Sequence, residues 1–186
     1  MSNNVKKTEA LHNFRTYLNE SKSFQKGKFT LSSGKESDYY IDLRKIPSNM
    51  NLFKELTELA INEINEKEFD SEMICGIATG GLVFATSIAT KLNMPLIYYR
   101  QTQKDYGLKK SIEGNMADKV KILIIDDVST TGSSIIKAAE ILRDKNLIVE
   151  NALVIFDRLE EASNNLLNNN IKLHSLFNIK DIKNEN

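Results

Sequence analysis

Apolar positions along this chain fall into two periods, and the period switches every ten to fifteen residues from about residue 50 onward. Residues 8–20 carry Leu11, Phe14 and Leu18 at helical spacing. FTL (29–31) and YYIDL (39–43) read as short strands around the polar turn SSGKESD. Residues 50–66 place Leu52, Leu56, Leu59, Ala60 and Ile64 on one helical face. MICGI (73–77) is a short buried strand, 81–92 a mostly apolar helix and PLIYY (95–99) a strand. Residues 100–118 are polar and without period, which predicts a long loop. VKILII (120–125) is the strongest buried strand, followed by a helix over 133–145 and a strand at IVENALVIF (148–156). A helix over 158–169 and a strand at IKLHSLF (171–177) complete the series. Strands alternating with helices predict an α/β fold, a mostly parallel sheet flanked by helices. The connections are too long for hairpins, and such sheets bind ligands at the carboxyl ends of their strands.

Composition narrows the class. The 186 residues suit one domain, able to bury about 70% of its unfolded surface. Lys plus Arg equals Asp plus Glu at 25 each, which excludes a global basic field for nucleic acid and a strongly acidic tail. One cysteine, Cys75, excludes an internal disulfide or a multi-cysteine zinc site; at the end of a buried strand it reads as a small core residue. No apolar run approaches the ~20 residues needed to span a membrane, and MSNNVKKTEALHNF lacks the apolar core of a secretory signal. A cytoplasmic location follows as the expectation. His12 and His174 lie outside every motif and read as surface or packing residues.

Glycine is scarce: 8, with 2 prolines, where average usage would give about 22 of the two together. The eight fall in four segments: Gly27 and Gly34; Gly76, Gly80 and Gly81; Gly107 and Gly114; Gly132. Four glycine-bearing loops on a nearly glycine-free scaffold fit four loops around one site as well as they fit four ordinary turns.

The loop after the strongest strand carries most of the chemistry. VKILIIDDVSTTGSS runs from strand into Asp126 and Asp127, then Val128, Ser129, Thr130, Thr131, Gly132, Ser133 and Ser134 as a helix opens. Adjacent carboxylates at a strand's carboxyl end can accept hydrogen bonds from a vicinal diol. The hydroxyls and free N–H groups at a helix N-terminus favour a phosphate. Together they describe a site for a 5-phosphorylated ribose. A Walker A loop would need Lys where Ser133 follows Gly132, and a dinucleotide fingerprint would need G-x-G-x-x-G. A receiver domain carries its acidic pair near the N-terminus. An N-cap would explain Ser129 or Thr130 but not two carboxylates.

This stretch closely resembles the phosphoribosyl-pyrophosphate (PRPP) motif of the type I phosphoribosyltransferases. Three further segments resemble the orotate phosphoribosyltransferases among them: GKFTLSSGKESDYYIDLR (27–44) the hood over the base, GIATGGLVFA (76–85) the pyrophosphate loop, and RQTQKDYG (100–107) the mobile catalytic loop. The resemblance runs from about residue 24 to 160, and its segments are the other glycine-bearing ones.

The resemblance implies a type I phosphoribosyltransferase fold with an N-terminal helix and hood over 1–48 and a PRPP-binding core over 49–186. It implies transfer of 5-phosphoribosyl from PRPP to orotate in pyrimidine biosynthesis, with Mg²⁺ held mainly through PRPP. It places Asp126 and Asp127 at the ribose, Val128 to Ser134 at the 5′-phosphate, Thr79, Gly80 and Gly81 at the pyrophosphate, and Arg100, Lys104 and Tyr106 on the catalytic loop. Arg100, Lys104, Asp126 and Asp127 are the expected catalytic set. Thr130, Arg158, Tyr40 and Ile41 are expected at orotate; without the resemblance Arg158 would read as a surface arginine at a helix start. A homodimer is implied, its catalytic loop acting in trans, with no nucleic-acid or membrane partner. Gln101, Gly80 and Ser32 stand where relatives often have lysine, so three positive charges are missing. The rival readings are a PRPP-sensing regulator, disfavoured by the lack of a spare domain or basic face, and transfer to another base, disfavoured by the hood.

Overall fold

The computed structural model describes residues 3–30, 36–100 and 111–183. Helix α1 (Asn3–Glu20) leads into an antiparallel ribbon of β1 (Phe24–Thr30) and β2 (Glu36–Ile41). After a single 3₁₀ turn (Ile46–Ser48) come α2 (Met50–Glu66), β3 (Met73–Ile77), α3 (Gly80–Leu92), β4 (Leu96–Tyr99) and β5 (Ile112–Glu113). The chain continues through β6 (Lys121–Ser129), α4 (Ser133–Arg143), β7 (Ile148–Asp157), α5 (Ala162–Asn168), β8 (Lys172–Asn178) and α6 (Ile179–Lys183). Six strands form one sheet in the order β5-β4-β3-β6-β7-β8, parallel except for β5.

Alternation along β6 shows why the sheet needs helices on both faces. Leu123 and Ile125 point into the core shared with α1, α2 and α3. Ile122 and Ile124 point into the opposite core, shared with α4 and α5. Helix α2 buries the stripe Leu52, Leu56, Leu59, Ala60 and Ile64, and Asn49 caps it by accepting from the Leu52 N–H at 3.2 Å. Phe14 of α1 stacks on Phe177, centroids 5.1 Å apart, so the first helix belongs to the main core. Burying one such ring contributes about 1.5–3 kcal/mol. Cys75 lies mid-strand in β3, fully buried, its thiol pushed up to about 12 by burial. Among the described residues no helix is long and apolar enough to cross a membrane.

The differences from the sequence reading have local causes. Strand β1 starts at Phe24, earlier than expected, because FQKGKFT is a largely exposed ribbon whose order comes from pairing with β2 rather than from burial. The polar stretch 100–118 includes β5, two residues added to the sheet edge beside β4. Strand β6 runs on to Ser129, since β7 pairs with it that far. The helix expected from 158 starts at Ala162, because the Arg158 N–H bonds to Ser129 at the end of β6 and the Glu161 N–H to Thr130 just after it.

His174 packs inside, against the Phe69 ring at 4.5 Å, with Nε2 3.1 Å from the Asn151 amide oxygen. Burial first, and the charges of Lys172 and Lys67 after it, lower its pKa to about 4. The unfolded chain takes up this proton near 6.5 while the folded one resists it to about 4. The stability His174 contributes is therefore full above pH 6.5 and lost as pH falls toward 4. Melting curves at these two pH values should show a smaller loss for His174→Gln than for the wild type.

Candidate active site

Strand order locates the crevice before any side chain is considered. From β3 the chain crosses to β4 on one side, while β6 lies on the other, so the loops after β3 and β6 diverge and leave a gap between them. The β3–β6 pairing ends at Gly76 and Ile125. Beyond it β6 is bonded to β7 alone, through Val128–Phe156 and Ser129–Asp157. Residues Asp126 to Ser129 thus have one open edge, facing the turn Thr79–Gly81 that starts α3.

The two glycines of that turn bring backbone against the acidic pair. A Cβ on Gly80 would lie 2.0 Å from Asp127 Oδ2, and one on Gly81 would lie 2.5 Å from Asp126 Cα and 2.7 Å from the Ile125 carbonyl. Gly80 is therefore more than a missing lysine: a side chain there displaces an Asp127 carboxylate. Asp126 accepts the Asp127 N–H at 2.8 Å on Oδ1. Burial pushes the Asp126 carboxyl well above the usual carboxylate range, and the neighbouring Asp127 charge adds to it. Burial also raises Asp127, with hydrogen bonds and the Arg44 charge pulling the other way.

The loop expected at the 5′-phosphate is anchored from behind by the segment after β7. The Ser129 carbonyl accepts from the Arg158 N–H at 3.1 Å, and the Thr130 carbonyl from Glu161 and Ala162 N–H at 3.2 and 3.0 Å. The Thr131 carbonyl accepts from Asn165 Nδ2 at 2.9 Å. In a trans peptide the next N–H points opposite to the carbonyl. Three carbonyls drawn toward 158–165 therefore turn the N–H groups of Thr130, Thr131 and Gly132 away from it, as an anion nest requires. Gly132, at φ 75, heads α4 without a side-chain cap, leaving the first-turn N–H groups at Ser133 and Ser134 for a ligand. Ser129 is different: its hydroxyl, on a residue 2% exposed, donates to Asp157 Oδ1 at 2.7 Å, so it belongs to the wall behind the loop.

Arg158 is buried, at 4% exposure, and is not a surface arginine. Its guanidinium lies 4.0 Å over the Tyr39 ring, donates to Ser37 Oγ at 2.6 Å and pairs with Glu160 at 2.8 Å. It ties the hood ribbon to the core. Burial drives the Tyr39 hydroxyl up to about 12, against the pull of Arg158. Pleating sets which hood residues are available. Ile41, like Tyr39, turns into the core, leaving only its backbone for a ligand. Tyr40 faces the other way, and its hydroxyl accepts from Arg44 at 3.0 Å. Arg100, at the end of β4, is ion-paired with Glu113 of β5, and its buried Nε has no hydrogen-bond partner among the described residues. Lys104, Tyr106, Gln101 and Ser32 lie outside the described residues.

Residues 43–169 match the family model for the phosphoribosyl transferase domain. The chain is 42% identical over 158 residues to the orotate phosphoribosyltransferase of Sulfolobus acidocaldarius, covering 85% of this chain and 79% of that one. The chain belongs to the orotate phosphoribosyltransferases. It is also 36% identical over 157 residues to the orotate phosphoribosyltransferase of Methanocaldococcus jannaschii, covering 84% of this chain and 88% of that one. The crystal structure of the Aeropyrum pernix orotate phosphoribosyltransferase superposes with a TM-score of 0.80 at 33% identity, covering 90% of this chain and 94% of that one. As an orotate phosphoribosyltransferase, the enzyme transfers 5-phosphoribosyl from PRPP to orotate, giving orotidine 5′-monophosphate and pyrophosphate in pyrimidine biosynthesis.

Three residues beside this site escaped the sequence reading. Tyr39, two residues before Ile41 and on the same face of β2, is the hood residue that meets Arg158, and strand alternation alone does not separate the two. Arg44, at the end of the hood stretch, brings a guanidinium whose charge reaches Asp127. Asp157 had no sequence signal beyond standing next to Arg158.

Proposed function

We propose a division of labour among these residues for the transfer. Asp126 and Asp127 accept hydrogen bonds from the ribose diol, and the Val128–Ser134 stretch, through Thr130, Thr131, Gly132, Ser133 and Ser134, holds the 5′-phosphate. The N–H groups of Thr79, Gly80 and Gly81, with Arg100, Lys104 and Tyr106, receive the pyrophosphate. Residues 1–48 cover the base and 49–186 bind PRPP; orotate sits between Thr130, Arg158, Tyr40 and the Ile41 backbone. The observation that carries this reading is the close approach of Gly80 and Gly81 to the acidic pair, which supports a pyrophosphate turn and a ribose clamp sharing one crevice.

With the ribose held at both ends, the orotate ring nitrogen attacks the anomeric carbon in line as the C–O bond to pyrophosphate breaks. The bonding electrons leave with the pyrophosphate, and Arg100, Lys104 and the backbone N–H groups stabilise the charge that builds there. The charge of orotate lies on its carboxylate; the proton on the attacking ring nitrogen passes to the departing pyrophosphate as the N–C bond forms, so no strong protein base is needed. Among the described residues no three His, Cys, Asp or Glu side chains stand together. Asp126 and Asp127 are the carboxylates of this crevice that would help hold a Mg²⁺ ion bound mainly through PRPP oxygens, and that ion would supply positive charge to the leaving group.

The catalytic loop acts in trans within a homodimer. Lys104→Ala and Arg158→Ala are each expected to be inactive alone. Mixed under conditions that exchange subunits, they should recover about a quarter of the sites, since half the dimers are mixed and each of these has one intact site. Activity assays, with exchange verified by mass-tagged subunits, check this; no recovery after verified exchange assigns Lys104 to its own subunit.

A further inference from the structure

We propose that residues 157–165 form a bracket joining the phosphate loop to the orotate arginine, with Asp157 and Asn165 as its positioning residues; this rests on the site reading above. Asp157 ends β7 and is 5% exposed. One of its carboxylate oxygens, Oδ1, accepts both the Ser129 hydroxyl at 2.7 Å and the Leu159 N–H at 3.1 Å. The first bond pins the end of β6. The second holds the turn at Leu159, whose φ of 53 is unusual for a leucine. Arg158 lies between these two anchors, and its own N–H closes on the Ser129 carbonyl at 3.1 Å. The bracket then reaches Thr130 through Glu161 and Ala162, and Thr131 through Asn165.

Every residue from Ser129 to Thr131 is thus bonded to the segment that aims Arg158. Neither Asp157 nor Asn165 need touch a substrate for this to matter. Filling the phosphate loop restricts the 129–131 backbone, and the bracket passes that restriction to Arg158. Orotate then meets an Arg158 whose backbone is held in place by the filled loop, which makes the two ligands bind with positive coupling.

Calorimetry with orotate, in the absence and presence of saturating ribose 5-phosphate, reads this coupling without turnover. The wild type should bind orotate about fivefold or more tightly when ribose 5-phosphate is present. Asp157→Ala and Asn165→Ala should bring that factor close to one. Asp157→Asn keeps a carbonyl oxygen in place of Oδ1, so it should retain the factor. A purely structural role would lower melting temperature without removing the coupling. Should Asp157→Ala fail to fold, Asn165→Ala carries the test from a partly exposed position. A wild-type factor of one, or a factor unchanged in Asn165→Ala, overturns the bracket while leaving the site reading intact. A wild type that binds neither ligand overturns both.

Discussion

Replacing Asp126 and Asp127 together by Asn abolishes most PRPP turnover and raises the melting temperature at neutral pH. The two effects have one origin. Burial, with mutual repulsion at Asp126, raises both carboxyls above their usual range. An acid whose folded pKa is raised holds its proton more tightly when folded. Its contribution to stability therefore falls as pH rises from the unfolded value, near 3.9, through the folded one. At neutral pH the pair destabilises the fold, and Asn, which keeps the shape and the Asp126 oxygen that accepts the Asp127 N–H, removes that load. On the ribose side two charge-assisted acceptors are lost, each worth about 1.5–3 kcal/mol, or roughly two to four orders of magnitude in kcat/KM together. Steady-state assays and melting curves at pH 7 and below pH 4 check both halves, the stability gain shrinking at the lower pH. Normal turnover would falsify the ribose assignment; a melting temperature lowered at pH 7 would show that the pair is paid back by neighbours in the free enzyme.

Restoring a lysine at position 80 does not restore affinity. Gly80→Lys is expected to lower kcat/KM for PRPP by about a hundredfold or more, because its Cβ would sit 2.0 Å from Asp127 Oδ2 and force that carboxylate off the ribose. The added positive charge cannot compensate for a displaced acceptor. Gln101→Lys is the informative contrast: it adds the same charge on the catalytic loop and should tighten PRPP binding at low salt, with the gain fading as salt rises. Kinetics of the two variants across ionic strength separate charge from packing. A Gly80→Lys enzyme with wild-type or better PRPP affinity would show that Asp127 can swing aside at no cost to the site.

What the sequence made legible was whatever burial and chain-local chemistry control. The helix Met50–Glu66 and the strand Met73–Ile77 fall where their apolar periods put them, because each buries one stripe or a whole run. The candidate phosphate loop stood out because strand, carboxylates, hydroxyls and glycine follow one another within it. The ends of elements were not, since β6 reaches Ser129 only through its partner β7, and β1 exists only through β2. Partnerships across long separations were also invisible: Asp157 with Ser129, Arg158 with Ser37 and Tyr39, Gly80 with Asp127. Each depends on which strands the topology makes neighbours, which no local window records.

With orotate placed at Arg158 as proposed, the arginine that spans hood and core makes base preference a joint property of two distant stretches of chain. Arg158 takes its place from Ser37 and Tyr39 on one side and from Glu160 on the other. Grafting residues 24–41 from a relative with a different base would import one half of that arrangement and strand a buried guanidinium against unfamiliar neighbours. A lineage drifting toward a new base must change both stretches in step, or pass through intermediates that fold poorly. The hood is in this sense not an exchangeable module, because its ribbon and the turn after β7 share one buried guanidinium.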